Sequence, residues 1–215
     1  MTLSAPRRRL IVKLTGAVLA LVVVGAAIAS TRVLSVGEAA EASQAGAFEP
    51  ADYAAEHFDE DIVPLITDEA VDLSTLLADL AGGADEADFG NSAGSSSAFS
   101  FPVTFTGVAG TPNGSILPVA VDGLPEGTVV QVQIGPAING TAIRDATGTV
   151  KFNDFTNQLE FQEVATELNT LVKDQVLADV DPAAIAGKTI TVTGAFTRVN
   201  PALVSVVPVS LEIAQ

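Results

Sequence analysis

The sequence predicts an α+β chain that is mainly β, and three observations support this class. Apolar and polar residues alternate in three segments from Phe99 onward, the period changes to that of a helix between Asn157 and Val176, and alternation returns after Lys188. Three strands, one helix and two strands, in this order, match a five-stranded Greek-key barrel of the oligonucleotide/oligosaccharide-binding (OB) type, with the helix between strands three and four. A β-sandwich with one intruding helix is the alternative.

The first element, residues 1–30, is a basic flank followed by an apolar run from Leu14 to Ala29. The length of this run lies between that of the apolar core of a signal peptide and that of a membrane-spanning helix. Both an uncleaved transmembrane anchor and a signal cleaved before Ser30 therefore stay open. The anchor gives a single-pass protein of the cell membrane with its body outside the cytoplasm, and cleavage gives a secreted or periplasmic protein.

Residues 31–80 are predicted to form a helical stalk. Apolar residues recur at helical spacing from Ala51 to Leu80, and Pro64 is expected to break or kink the first helix there. Four residues are available to cap the next helix, and the sequence does not choose among them: Thr67, Asp68, Asp72 and Ser74. The Gly-, Ser- and Asp-rich stretch 81–98 is predicted to be a flexible linker. It leads to the barrel domain, residues 99–215.

Turn residues divide the barrel domain into its elements. The segments FSFPVTFTGVAG, SILPVAVDG and GTVVQVQIG are predicted to be three strands, and GTAIRDATGTV after them is predicted to be extended or looped. A helix follows, in which Asn157 and Glu160 fit an N-cap and a capping box. The segments KTITVTGAFTRV and LVSVVPVSLEI are the last two strands.

Charge and composition argue against several functions. Four of the ten Lys and Arg residues and none of the 26 Asp and Glu residues precede residue 30, so the remainder carries a formal charge of −20. Such a body repels phosphate backbones, so we expect no nucleic-acid partner. The chain has no Cys and one His, which argues against thiol catalysis and multi-residue metal sites. Because no catalytic or phosphate-binding motif is present either, we expect no enzyme, no cofactor and no metal site.

Two groups of polar residues between strand three and the helix form the candidate ligand-binding site. The first group is Arg144 and Asp145, and Arg144 is the only basic residue between Arg32 and Lys151. A guanidinium is suited to bind a carboxylate, a phosphate or a sugar hydroxyl. The alternative is a local ion pair that holds the loop on the barrel.

The second group immediately precedes the helix or begins it. It consists of Asn153, Asp154, Asn157 and Gln158. Short polar side chains at such a position cap the helix and bind the loop backbone. Alternatively, they form a polar rim at the barrel mouth that binds sugar hydroxyls, with Phe152 and Phe155 as apolar platforms. Both interpretations stay open at this point.

Several segments resemble a known family. In order, they are FEPADYAAEHFDEDIVP, FSFPVTFTG, VQIGPAINGTAIRD, KFNDFTNQLEFQEVATELN and GKTITVTGAFT. Over residues 46–214 the chain is similar to a family of bacterial predicted periplasmic lipoproteins with a domain of unknown function (2291). Members are often encoded beside ATP-driven sugar transporters, so the resemblance implies an accessory role in carbohydrate uptake. This chain departs from the family in lacking a Cys to carry the lipid, so a protein anchor would replace it.

We therefore expect a membrane-tethered extracytoplasmic accessory or binding module, whose partner is a sugar or a protein of an uptake system. Two alternatives come from other classes of protein. One is a structural or assembly protein of the envelope. The other is a glycan hydrolase that uses two of the many carboxylates, although no motif selects a pair.

Overall fold

The computed structural model describes residues 48–94 and 97–214, in which five strands close into a barrel and a short sixth strand pairs beside it. The strands are β1 (Val71–Asp72), β2 (Ser100–Ala109), β3 (Ile116–Ala120), β4 (Val129–Gln133), β5 (Thr189–Thr197) and β6 (Leu203–Ile213). The helices are α1 (Pro50–His57), α2 (Val63–Glu69), α3 (Leu73–Ala81), α4 (Ala142–Ala146), α5 (Gln158–Leu171) and α6 (Pro182–Ile185).

The barrel closes because β2 pairs on both of its edges. The strand order is β2-β3-β4-β6-β5, and β5 returns to β2 along antiparallel pairs that run from Ser100 with Thr197 to Val108 with Thr189. Strands β4 and β6 are parallel, and the other neighbours in the barrel are antiparallel. The predicted OB-type barrel with helices between its third and fourth strands is confirmed. One closed sheet takes the place of the two facing sheets of a sandwich.

A glycine is required where β5 bends against β6. The register of this pair shifts between Thr193 and Gly194. A Cβ atom on Gly194 would lie 2.2 Å from the backbone oxygen of Val207, far inside van der Waals contact. Any side chain at this position would push β6 away, so glycine permits the close approach of the two strands.

Alternate side chains of the long strands fill the barrel interior. The cluster is built around Phe101, Val103 and Phe105 of β2, and each of the other four strands of the barrel contributes residues to it. Helix α3 adds three leucines to the same cluster, and Asp72 caps this helix by accepting a hydrogen bond from the N–H of Thr75 at 3.0 Å. Of the four cap candidates, Asp72 is the one that caps this helix.

A second apolar cluster joins α1, α2, α4 and α5 to strands β5 and β6. Its members include Ala54, Phe58, Ile62, Ile66, Ile143, Phe161, Val164, Leu168, Ala195, Val207 and Val209. The N-terminal helices therefore bury their apolar face against the same chain, on a helix and a sheet surface that would otherwise contact water. Burial of this apolar surface is the main contribution to the stability of α1, α2, α4 and α5.

The chain changes its winding at the expected position near Pro64. Between α1 and α2 it makes one wider, π-helical turn, Phe58–Ile62. Pro64 lies in the first turn of α2, where its missing N–H and its ring are tolerated. The wider turn removes the need for a regular helical hydrogen bond at the proline. The chain nevertheless stays helical from Pro50 to Glu69, so a change of winding takes the place of the expected break.

The segment predicted to be extended or looped after β4 contains a helix instead. All five residues of α4 are buried, and the helix packs on α5, β2 and β5. The prediction was wrong because five residues are too few to show a helical period in sequence. Tertiary burial rather than local propensity therefore determines the conformation of this segment.

The predicted domain boundaries at residues 80 and 98 fall within one compact unit, Phe48–Gln215. Within the predicted linker, Phe89 packs against the barrel cluster and the Asn91 side chain donates a hydrogen bond of 2.8 Å to the Ala146 carbonyl. The predicted anchor and the first part of the predicted stalk, residues 1–47, lie outside the described residues. Of the helices in residues 48–94 and 97–214, none is both long and apolar enough to span a membrane.

We expect Leu168→Ala to lower the free energy of unfolding by about 2–5 kcal/mol, because it removes a fully buried side chain from the second cluster. The matched control is Leu159→Ala on the same helix, where the side chain is 64% exposed. It should change stability by no more than about 0.5 kcal/mol. Urea denaturation followed by circular dichroism measures both, and equal effects of the two substitutions would contradict the packing of α5.

Candidate functional site

Arg144 and Asp145 form a buried ion pair in α4. Their side chains are only 4% and 6% exposed. Nε and Nη2 of Arg144 each lie 2.7 Å from Oδ1 of Asp145, while Thr141 Oγ1 donates a hydrogen bond of 2.6 Å to Oδ2. Each carboxylate oxygen therefore accepts at least one hydrogen bond, and the pair carries no net charge.

The same arginine joins α4 to α5. Its Nη1 donates a hydrogen bond of 2.8 Å to the Phe161 carbonyl, and its Cζ lies 3.5 Å from the centroid of the Phe161 ring, a cation–π contact. Burial lowers the pKa of the Arg144 guanidinium from its ordinary value, and the carboxylate of Asp145 opposes that shift. An arginine stays charged at neutral pH even so, which makes its partners obligatory.

A cleft of about 670 Å³ lies beside this pair, and we refer to it as the Arg144 cleft. Apart from the ion pair, its lining consists of neutral polar side chains, small residues, Val199 and two phenylalanines. The polar and aromatic members are Thr141, Phe152, Gln158, Phe161, Gln162 and Thr166, with Ser97 and Thr197 beside them. The described contacts of Arg144 use three of its five N–H donors, so the guanidinium keeps donor capacity for a ligand in the cleft that it lines.

Helix α5 contributes a polar stripe to the cleft. Gln158, Gln162 and Thr166 follow one another at intervals of four residues, so they lie along one side of the helix. Of these three, the sequence analysis identified Gln158 alone. The signal was present, because the stripe runs beside the buried positions Phe161 and Ala165, but an exposed Gln is a common surface residue and draws no notice in a single sequence.

The predicted polar residues before α5 do not converge on one site. Asn157 Oδ1 accepts a hydrogen bond of 3.0 Å from the N–H of Glu160, and its Nδ2 donates one of 2.9 Å to Glu160 Oε1. The N–H of Thr156 donates to Glu160 Oε2 at 2.9 Å, which completes the arrangement. The predicted N-cap at Asn157 is confirmed. The predicted capping box differs in its second half, because the Glu160 carboxylate accepts from the N–H of Thr156 and from the Asn157 side chain instead of the Asn157 N–H. Asp154 instead accepts a hydrogen bond of 3.3 Å from the N–H of Lys151.

A second cavity of about 450 Å³ adjoins the Arg144 cleft, and we refer to it as the Lys151 cavity. It contains the predicted residue Asn153. The two share Ala93, Asp145 and Phe152 in their linings, so they meet at the Phe152 side chain. Of the two predicted aromatic platforms, Phe152 is 44% exposed and lines both cavities, whereas Phe155 is buried in the second apolar cluster.

A third, smaller cavity of about 290 Å³ lies at α1 and is lined by Tyr53, His57 and Asp61 among others. Nδ1 of His57 lies 2.6 Å from Oδ2 of Asp61, and the rings of Tyr53 and His57 are 4.4 Å apart. Burial raises the pKa of Tyr53 above its ordinary value, and the negative charges of Asp154 and Asp61 raise it further. The phenol therefore stays protonated over the physiological range.

The sequence profile of one family, described as predicted periplasmic lipoproteins (DUF2291), matches residues 19–212. The chain belongs to the DUF2291 family. This confirms the resemblance of the quoted segments, and it places the DUF2291 chain outside the cytoplasm and at the membrane. A lipoprotein carries its lipid on a Cys, and the sequence contains none.

Among solved structures, the DUF2291 chain is similar to the crystal structure of an OB-fold protein from Thermotoga maritima. The two share 22% sequence identity with a TM-score of 0.63, over 78% of this chain and 99% of the other. The likeness supports the OB-type barrel. A comparison with curated protein sequences gave no match.

We expect Asp145→Ala to destabilise the DUF2291 chain by about 3–5 kcal/mol, because it leaves the Arg144 guanidinium buried and uncompensated. Adding Arg144→Met should recover most of this loss, since an apolar side chain of similar length removes the unpaired charge. Asp174→Ala is the control, because Asp174 forms an exposed pair with Lys173 and its removal should cost at most about 1 kcal/mol. Denaturant unfolding measures all four proteins, including the wild type. If Asp145→Ala lowers the free energy of unfolding by no more than the control does, the pair behaves as a solvent-exposed pair and the prediction is wrong.

Tyr53 offers an independent check of the local electrostatics, because the chain has one Tyr and no Trp. Near-ultraviolet absorbance then reports the ionisation of Tyr53 alone. We expect its midpoint in the folded protein to lie above the value of about 10 found in unfolded chains. The folded state thus holds the phenolic proton more tightly than the unfolded state does, so stability is complete below pH ~10 and falls as the pH rises above it.

The substitution Asp154→Asn should lower the Tyr53 midpoint, because the charge of Asp154 raises the pKa of the phenol more than any other neighbouring carboxylate does. Asp122→Asn, at an exposed acid that is not among those charges, is the matched control and should leave the midpoint in place. A Tyr53 midpoint that equals that of the denatured chain would contradict the described environment.

Proposed function

We propose that the protein is a non-enzymatic, membrane-tethered sugar-binding module, whose ligand occupies the Arg144 cleft. The observation that carries the proposal is the lining of this cleft. It combines neutral hydrogen-bonding side chains with an exposed aromatic ring, and its two charged residues neutralise each other. Sugars present hydroxyl groups at their edges and C–H groups on their faces, and such a surface matches both.

The charge of the cleft argues for an uncharged ligand. Arg144 and Asp145 are its only charged residues among those described, and the carboxylate occupies two of the donors of the guanidinium. A carboxylate or phosphate would have to compete with Asp145 for Arg144 inside a body of strongly negative charge. A sugar hydroxyl needs only the remaining N–H donors and the amide and hydroxyl groups of α5. The volume is within the range of about 300–1,000 Å³ that is typical of small-molecule sites.

The glycan-hydrolase alternative finds no support in this cleft. Glycoside hydrolysis uses two carboxyl groups on either side of the scissile bond. Among the described residues that line the Arg144 cleft, Asp145 is the only carboxylate, and Arg144 and Thr141 already occupy its oxygens. With both oxygens engaged, this carboxylate is poorly placed to approach a scissile bond. A binding role agrees better with this geometry.

The tether and the biological setting belong to the same proposal. Because the sequence has no Cys to carry a lipid, we propose that the apolar run in residues 1–30 stays uncleaved and replaces the lipid as a single-pass anchor. The barrel then presents its cleft at the outer surface of the membrane. That position suits an accessory protein of carbohydrate uptake, which is the role implied by the family resemblance.

We expect at least one neutral sugar from a panel of glucose, galactose, xylose, maltose and cellobiose to raise the melting temperature, because a ligand that binds only the folded state stabilises it. Isothermal titration calorimetry should then show that Gln162→Ala weakens binding by about two- to tenfold, the effect of losing one hydrogen bond. The matched control is Gln175→Ala, at an exposed glutamine outside the cleft, which should bind as the wild type does.

Two results would argue against the proposal. One is a panel in which no sugar stabilises the protein at millimolar concentration while an anion such as citrate does, since the cleft would then select charge. The other is a sugar whose affinity falls equally in Gln162→Ala and Gln175→Ala, which would locate its binding away from α5.

A further inference from the structure

We propose that the ligand is an oligosaccharide of at least two units, with one unit in the Arg144 cleft and the next in the Lys151 cavity. This inference rests on the proposed sugar-binding function and adds the number of sugar units that the ligand contains. It starts from the relation between the two cavities, which the chain order alone does not reveal.

The two cavities form one continuous surface. Ala93, Asp145 and Phe152 line both, so the two cavities adjoin at these three residues. Each cavity by itself is within the usual range for a small-molecule site, at about 670 and 450 Å³. Together they exceed the upper end of that range, about 1,000 Å³. A single sugar unit would leave one of the two cavities to water.

The Lys151 cavity has its own hydrogen-bonding groups. They are the side chains of Asn91, Ser92, Lys151 and Asn153. The ammonium group of Lys151 makes no ion pair within the described part of the chain, so its donors are available to hydroxyl oxygens. Asn153 is exposed, and no hydrogen bond of its side chain is found among the described residues.

One of the residues that line the Lys151 cavity has to be a glycine. Gly148 has a φ of +65°, and a Cβ atom there would lie 2.5 Å from the Asn91 Oδ1 atom. Asn91 cannot move away without losing the hydrogen bond from its Nδ2 to the Ala146 carbonyl. The second cavity is therefore shaped by the same backbone that carries the ion pair, and the two cavities keep one relative geometry.

Phe152 is placed to contact both units. Its ring stands edge-on to Phe161 at 5.7 Å between centroids, and Phe161 in turn stacks on Arg144. This contact fixes the ring at the junction of the cavities, although nearly half of the side chain is exposed. An aromatic ring between two sugar units offers an apolar surface to the C–H face of each.

The experiment compares single sugars with their disaccharides, by titration calorimetry on the full chain. The probes are glucose with cellobiose and maltose, and xylose with xylobiose. We expect one disaccharide to bind at least tenfold more tightly than its monosaccharide. Lys151→Met and Asn153→Ala should each reduce this ratio by about two- to tenfold, as expected for one lost hydrogen bond. Lys173→Met, at an exposed lysine outside both cavities, is the control and should preserve the ratio.

The possible failures of the two proposals are distinguishable. If a monosaccharide binds and its disaccharides bind no more tightly, the two-unit ligand is excluded while sugar binding stands. The same conclusion follows if the ratio is unaffected by Lys151→Met and Asn153→Ala. If none of the sugars binds, the proposed function fails, and this inference fails with it.

Discussion

A guanidinium in a protein interior must be paired, and the pairing of Arg144 determines the arrangement around it. The carboxylate of the next residue neutralises it, a carbonyl of α5 accepts from it, and the Phe161 ring covers it. Two of these partners belong to Phe161 on α5, which is seventeen positions from Arg144 along the chain, and the third belongs to α4. The charge therefore fixes α4 against α5, and the cleft between them follows from that contact. A neutral side chain at this position would impose no such geometry.

The barrel supports this site without containing it. Its interior is filled by strand side chains, as expected for a five-stranded barrel, so a ligand has to bind on the outside. The outer surface of β5 and β6 is covered by α1, α2, α4 and α5, which form a second core with it. The helices between the third and fourth strands of the barrel thus serve two purposes. One face completes the core, and the adjoining stripe of Gln158, Gln162 and Thr166 meets solvent and lines the cleft.

The sequence was sufficient for the order of strands and helix along the barrel domain, from which the OB-type barrel was inferred, for the N-cap at Asn157 and for an irregularity near Pro64, because each depends on local patterns. The patterns are alternation, a capping residue at the start of a helix, and a missing N–H. The helix α4 could not be predicted, because its conformation depends on burial by distant residues. For the same reason the sequence left Arg144 open between a ligand site and a structural pair. The structure shows the ion pair, and it also shows the cleft beside it.

The closure of the barrel also has a consequence for how the chain reaches its folded state. The pairing of β2 with β5 joins residues as far apart as Ser100 and Thr197, so a loop of most of the domain has to close before these strands meet. Contacts of such long range make folding slow. If the chain crosses the membrane with its N-terminal part first, β2 reaches the outer side well before β5 does. During export, the free edge of β2 is thus exposed to other unfolded chains until the last strands arrive, and chaperoning at this stage would protect that edge.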